Sequence, residues 1–153
     1  MKYLISSCLT GINCRYNGTS SYVKELARLV DSGLAITFCP EVLGGLPVPR
    51  TRCELVSDSH NRIHAYGIDG TDYTFSFVLG AERSLKLAKY NQISTAILKS
   101  KSPSCGCGKI YDGTFSGTLV QGNGITADIF LRSGIDVINE EQALLMLDKL
   151  KEG

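Results

Sequence analysis

Short apolar runs alternate along this chain with longer amphipathic stretches, and that alternation leaves few folds open. Lys2–Ser7 reads as a first apolar strand, with Cys8 at its end. Val23, Leu26, Ala27 and Val30 then recur at helical spacing, and Gly33 stands where a helix stop belongs. Leu34–Phe38 is a second strand. Ile63–Tyr66 and the GIDGTD turn suggest a small β excursion near residues 54–70. A long helix is predicted over Asp72–Tyr90, a third strand over Thr95–Leu98, a helix over Ile125–Ser133, a strand over Ile135–Ile138 and a last helix over Glu140–Leu150. Strands alternating with helices predict an α/β domain of Rossmann-like type, with a mostly parallel sheet between two helical layers. At 153 residues one domain over 1–153 is expected.

Two segments resist this pattern. CPEVLGGLPVPR (39–50) and KSPSCGCGKIYDGTFSG (101–117) are dense in Pro, Gly and Ser, so they read as loops without regular structure. In a parallel sheet the carboxyl ends of the strands share one edge, where ligands bind. Cys8 ends the first strand, Cys39 ends the second, and Cys105 lies in the loop after the third. Three thiols far apart in sequence are therefore expected at one rim.

Composition narrows the function classes. The chain is 43% hydrophobic, and its 16 Lys and Arg face 15 Asp and Glu, for a net charge of +1. Disorder is excluded, and nothing electrostatic favours nucleic acid or an anionic membrane as a general partner. No stretch approaches a membrane span. MKYLISSC looks like a lipoprotein signal, but Ser6 and Ser7 cut its apolar run too short for a secretory segment. A cytoplasmic protein is expected.

Six cysteines, Cys8, Cys14, Cys39, Cys53, Cys105 and Cys107, then need a reason, because disulfides rarely persist in that compartment. Two readings stay open on spacing alone. Each thiol can be a small buried hydrophobe; alternatively Cys8, Cys39 and Cys105 hold a soft metal centre. No C-x2-C pair of the zinc-ribbon kind occurs. Iron–sulfur clusters normally take four thiolates, so a three-cysteine site leaves one iron open. Glu41, two residues after Cys39, would stand at the same rim as a general acid/base. Ser102 and Ser104 flank Pro103 beside Cys105, as proton carriers or as ordinary turn residues. Arg15, Arg50 and Arg52 could meet an anionic or carbonyl-rich ligand there.

Two further patterns carry less. Gly122–Ala127 matches the dinucleotide fingerprint G-x-G-x-x-A and precedes Glu140 and Glu141, but its strand could only be Thr118–Val120. His60 and His64 have helical metal-ligand spacing inside a segment that reads as strand and turn, so two exposed histidines are expected.

Longer motifs point further. SSCLTGINCRYNG, FCPEVLGGLPVPR and AILKSKSPSCGCGKIYDGTFSG, followed by GNGITADIFLRSGIDVINEE, resemble the bacterial thiouracil desulfidase family across nearly the whole chain. The resemblance implies a compact α/β domain with an oxygen-sensitive [4Fe–4S] cluster on three cysteines, here Cys8, Cys39 and Cys105, one iron remaining open. It implies catalytic acid/base and proton-handling roles for Glu41 and Ser102, with Ser104 a second candidate. A small thiolated nucleobase is the implied substrate, losing its sulfur as hydrosulfide without redox change, and iron–sulfur assembly machinery is an implied partner. The alternative is a cluster or metal carrier with no chemistry of its own. The chain departs from the family at Thr51-Arg52-Cys53-Glu54, where a proline-rich stretch is common. Cys53 and Cys107 are extra thiols.

Overall fold

The computed structural model describes residues 3–152. Four strands form a parallel sheet: β1 (Tyr3–Ser6), β2 (Ala35–Phe38), β5 (Thr95–Leu98) and β8 (Asp136–Asn139), in the order β2-β1-β5-β8. Lys2, placed by the sequence in the first strand, lies outside the described residues. Both faces of the sheet are covered, so its central strands, YLIS and TAIL, carry apolar residues toward both faces rather than alternating with polar ones. Ile5 and Ile97 pack with Leu26 and Leu29 of α1 (Lys24–Asp31) on one face. Leu4, Ala96 and Leu98 pack on the other with Ala88 of α3 (Thr74–Tyr90) and Phe130 of α4 (Ile125–Arg132). The Phe38 and Phe130 rings stack with centroids 5.9 Å apart, closing the second layer over the sheet edge. This is the three-layer Rossmann-like arrangement that the alternation predicts.

The expected β excursion is a hairpin, β3 (Cys53–Ser57) with β4 (Ile63–Gly67). The last helix is two: α5 (Glu140–Leu145), opened by an Asn139–Gln142 capping box, and α6 (Leu147–Glu152). Both segments expected to be irregular contain regular structure. Pro40 begins a one-turn helix, α2 (Pro40–Leu43), at the position where a missing N–H costs nothing. Lys109–Tyr111 (β6) pairs with Leu119–Gln121 (β7) as a second hairpin, because Ile110 buries itself against Cys53, Leu55 and Phe77. That tertiary contact outweighs the surrounding glycines.

The approach of α2 to α3 requires two glycines. A Cβ at Gly44 would collide with the Ser76 carbonyl oxygen, and one at Gly80 with that of Pro40. Gly80→Ala is therefore expected to cost about 1–3 kcal/mol by overpacking against backbone that cannot rotate away. A thermal melt should show it as a fall of several degrees in Tm, roughly 2–4 °C per kcal/mol at this size. An unchanged melt would mean that α2 is free to move off α3.

Candidate active site

Parallel strands put their carboxyl ends on one edge, and the loops leaving β1, β2 and β5 enclose a cleft of about 420 Å³ there. Cys8, Cys39 and Cys105 all line it, together with Glu41, Ser102 and Ser104. Cys8 sits on a single 3-10 turn (Ser7–Thr10) directly after β1. Cys39 is the N-cap of α2, so Glu41 falls in the first turn of that helix.

Cys105 is held by a cradle that explains the Gly122–Ala127 motif. The N–H groups of Gly124, Ile125 and Thr126 donate to the carbonyls of Gly106, Pro103 and Ser104 at 2.7, 2.9 and 2.9 Å. The open donors of the α4 N-terminus are thus spent on the SPSC loop. Gly124 is required because a Cβ there would collide with the Ser104 carbonyl. The strand before the motif, β7, belongs to the outer hairpin and not to the parallel sheet, so the dinucleotide reading fails on topology. Glu140 instead accepts from Ser100 N at 2.8 Å and pairs with Lys99 Nζ at 3.3 Å, fixing the loop that leaves β5.

Glu41 is held on both of its carboxylate oxygens. Arg50 Nε donates to Oε1 at 2.9 Å and Ser104 Oγ to Oε2 at 2.7 Å. Arg50 also donates to the carbonyl of Cys14 at 2.8 Å and stands 4.0 Å from Cys39 Sγ. Burial weakens the Arg50 charge, but the Glu41 carboxylate more than restores it, and the guanidinium ends above its ordinary pKa. Arg50, read from sequence as a possible ligand contact, is thus engaged by the protein itself. Ser102 Oγ accepts from Cys105 N at 2.9 Å and lies 3.1 Å from Ser104 Oγ, so Ser102, Ser104 and Glu41 form a continuous hydroxyl–carboxylate chain.

The structure adds residues that sequence reasoning passed over. Cys14 lines the cleft too, with the thiols of Cys39 and Cys8 beside its own. Its position six residues after Cys8 in a tight loop was the available signal. Ser6 Oγ donates to Cys105 Sγ at 3.4 Å and accepts from Lys99 N at 3.0 Å, tying β1 to β5 beneath the thiol. Cys107 is absent from the cleft lining and packs on the α3–α4 side of the sheet. His64 is half-buried on β4 and paired with Asp58 at 2.9 Å, while His60 stays exposed, so the two share no metal-ligand geometry.

Four thiols of this cleft, those of Cys14, Cys39, Cys53 and Cys105, resist ionisation. Burial pushes Cys105 and Cys53 up to about 12. At Cys14 the neighbouring Cys39 thiol lowers the pKa, but the Cys8 thiol and burial reverse this, leaving it at about 11. The adjacent Cys14 thiol, then burial, holds Cys39 far above the ordinary thiol range. Thiolates here need a strong local positive charge, which is what a metal centre brings. Among the described residues no three metal-binding groups converge closely enough to hold a single ion. The donor set is soft, all sulfur, and spread around a cleft, which fits a polynuclear iron–sulfur group and disfavours a mononuclear zinc site.

Residues 3–142 match the 2-thiouracil desulfurase family. The chain belongs to that family. It is 40% identical to the uncharacterized protein YbbK of Bacillus subtilis (strain 168) over 144 residues, covering 91% of this chain and 95% of that protein. Its fold superposes on a solved structure of the [4Fe-4S]-dependent thiouracil desulfidase TudS with a TM-score of 0.87, at 39% identity and over 99% of each chain. No helix among the described residues of this family member is long and apolar enough to cross a membrane.

Proposed function

We propose that this chain removes sulfur from the thiocarbonyl of a small thiolated pyrimidine such as 2-thiouracil, replacing it with oxygen from water. The reaction balances without electrons: the thiocarbonyl and one water become a carbonyl and hydrogen sulfide, which leaves as hydrosulfide and a proton. Cys8, Cys39 and Cys105 are the residues that would hold a [4Fe–4S] cluster. When bound, that group supplies a soft Lewis acid suited to a thiocarbonyl sulfur. The single observation that carries the reading is the junction of the cysteine triad with a carboxylate clamped from both sides in one cleft.

The remaining chemistry belongs to the protein. Glu41 takes a proton from the attacking water, its two oxygens oriented by Arg50 and Ser104. Ser104 and Ser102 extend that carboxylate by two hydroxyls, a path by which the proton is held and returned to the departing sulfur or the ring nitrogen. A cleft of about 420 Å³ is at the scale of one nucleobase rather than a folded RNA. Iron–sulfur assembly machinery is the partner such a cofactor calls for in the cell.

The test is direct. Protein reconstituted with iron and sulfide under anaerobic conditions, then given 2-thiouracil and no electron donor, is expected to release uracil and sulfide in equal amounts. Undiminished turnover after chelation has stripped the iron would overturn the reading.

A further inference from the structure

Arg52 and Phe115 take no part in the thiol and carboxylate network, yet both line the same cleft. Phe115 lies in the turn of the β6–β7 hairpin with φ of 56°, a left-handed conformation that is costly for a bulky side chain. Gly113 and Gly117 occupy the other left-handed positions of that turn, so the turn itself does not call for an aromatic residue. Glu54 on β3 holds the strained backbone in place. Its carboxylate is 4% exposed and accepts the N–H groups of Gly113 at 3.0 Å and Phe115 at 3.1 Å. The same carboxylate faces Arg52 Nη2 at 3.6 Å, beyond hydrogen-bond distance. The Arg52 guanidinium sits over one face of the Phe115 ring, 5.2 Å from its centroid, and its Nε is buried without a partner.

A buried carboxylate, a strained aromatic and an arginine with unspent donors thus converge on the cleft. We propose that Phe115 and Arg52 form the platform that receives the flat substrate ring. The base stacks on the face of Phe115 that Arg52 does not cover, Arg52 donates to a ring oxygen or nitrogen, and Glu54 is the positioning residue for both. This inference rests on the thiobase reading and adds the element that selects for ring planarity. Stacking demands a flat partner, because a puckered ring loses contact over much of the aromatic face.

Cluster-loaded protein is assayed with 2-thiouracil and with 5,6-dihydro-2-thiouracil, which keeps the thiocarbonyl on a puckered ring. Phe115→Ala is expected to raise KM for the flat substrate about tenfold, within the range for stacking of a base on an aromatic side chain. The variant should keep its kcat and its visible cluster absorption, and its preference for the flat ring should vanish. Phe115→Tyr should restore that preference. An unmoved KM, or an equal loss on both compounds, would overturn the platform. If wild-type holoprotein converts neither compound, the desulfidation reading falls by itself. Calorimetric binding of the same pair then decides the platform alone: tenfold weaker binding of 2-thiouracil by Phe115→Ala supports it, and equal binding overturns it.

Discussion

Cys39→Ser is expected to yield a folded protein that no longer takes up an iron–sulfur cluster and shows no desulfidation above background. Folding should survive for a specific reason. Cys39 is the N-cap of α2 and makes no side-chain capping bond, whereas serine is among the best residues at that position. The substitution can therefore add up to about 1 kcal/mol of helix stability while removing the soft donor. A hydroxyl is a poor ligand for iron in a sulfide cluster, and the two remaining thiols leave the centre under-coordinated. Iron and sulfide analysis after anaerobic reconstitution measures uptake, and a thermal melt measures folding. Cys107→Ser is the matched control: that thiol lies outside the cleft, so cluster content should equal wild type. Full cluster content in Cys39→Ser would remove Cys39 from the ligand set.

How far the sequence revealed this site depends on which link carried each residue. The sheet was legible because its strands are apolar on both faces and end abruptly at Ser7, Cys39 and Lys99. Once they were read as parallel, the meeting of Cys8, Cys39 and Cys105 at one edge followed from topology alone. Residues held by contacts between distant segments were not legible. The Arg50–Glu41 pair joins two ends of a segment that looked irregular, and α2, which carries Glu41, exists because Gly44 at its end and Gly80 of α3 let the two helices touch. Phe115 sits in a glycine-rich stretch with three-residue strands, where no period can register, and its place is set by Glu54 some sixty positions earlier. The Gly122–Ala127 motif was set aside for want of a preceding sheet strand, but its real task was hidden, because glycines that admit a phosphate and glycines that admit a neighbouring loop look the same in sequence.

Glu41→Gln should give the opposite dissociation from Cys39→Ser: a cluster retained and catalysis lost. Glutamine keeps the length and planarity of the side chain, so its oxygen can still accept from Arg50 Nε and its amide can still meet Ser104 Oγ. It cannot accept the proton of the attacking water. Loss of a positioned acid/base group is expected to lower kcat by about 10²–10⁴-fold, with KM little changed because the ring-binding surface is untouched. A second effect separates this from a general perturbation. Arg50 is 5% exposed, and neutralising its partner leaves a buried guanidinium with no counter-charge, held only by neutral oxygens: that of the glutamine and the carbonyls of Cys14 and Pro47. Stability should therefore fall by about 3–5 kcal/mol if the pair behaves as a fully buried one, and by less to the extent that water enters the cleft. The double variant Glu41→Gln with Arg50→Met removes the stranded charge and should recover part of that stability without recovering turnover. Thermal melts and single-turnover kinetics on the same preparations read the two effects apart. If Glu41→Gln kept wild-type kcat with a full cluster, the carboxylate would be a scaffold for Arg50 and Ser104 rather than the proton acceptor. If the double variant regained activity together with stability, the catalytic loss would be only misfolding of the cleft.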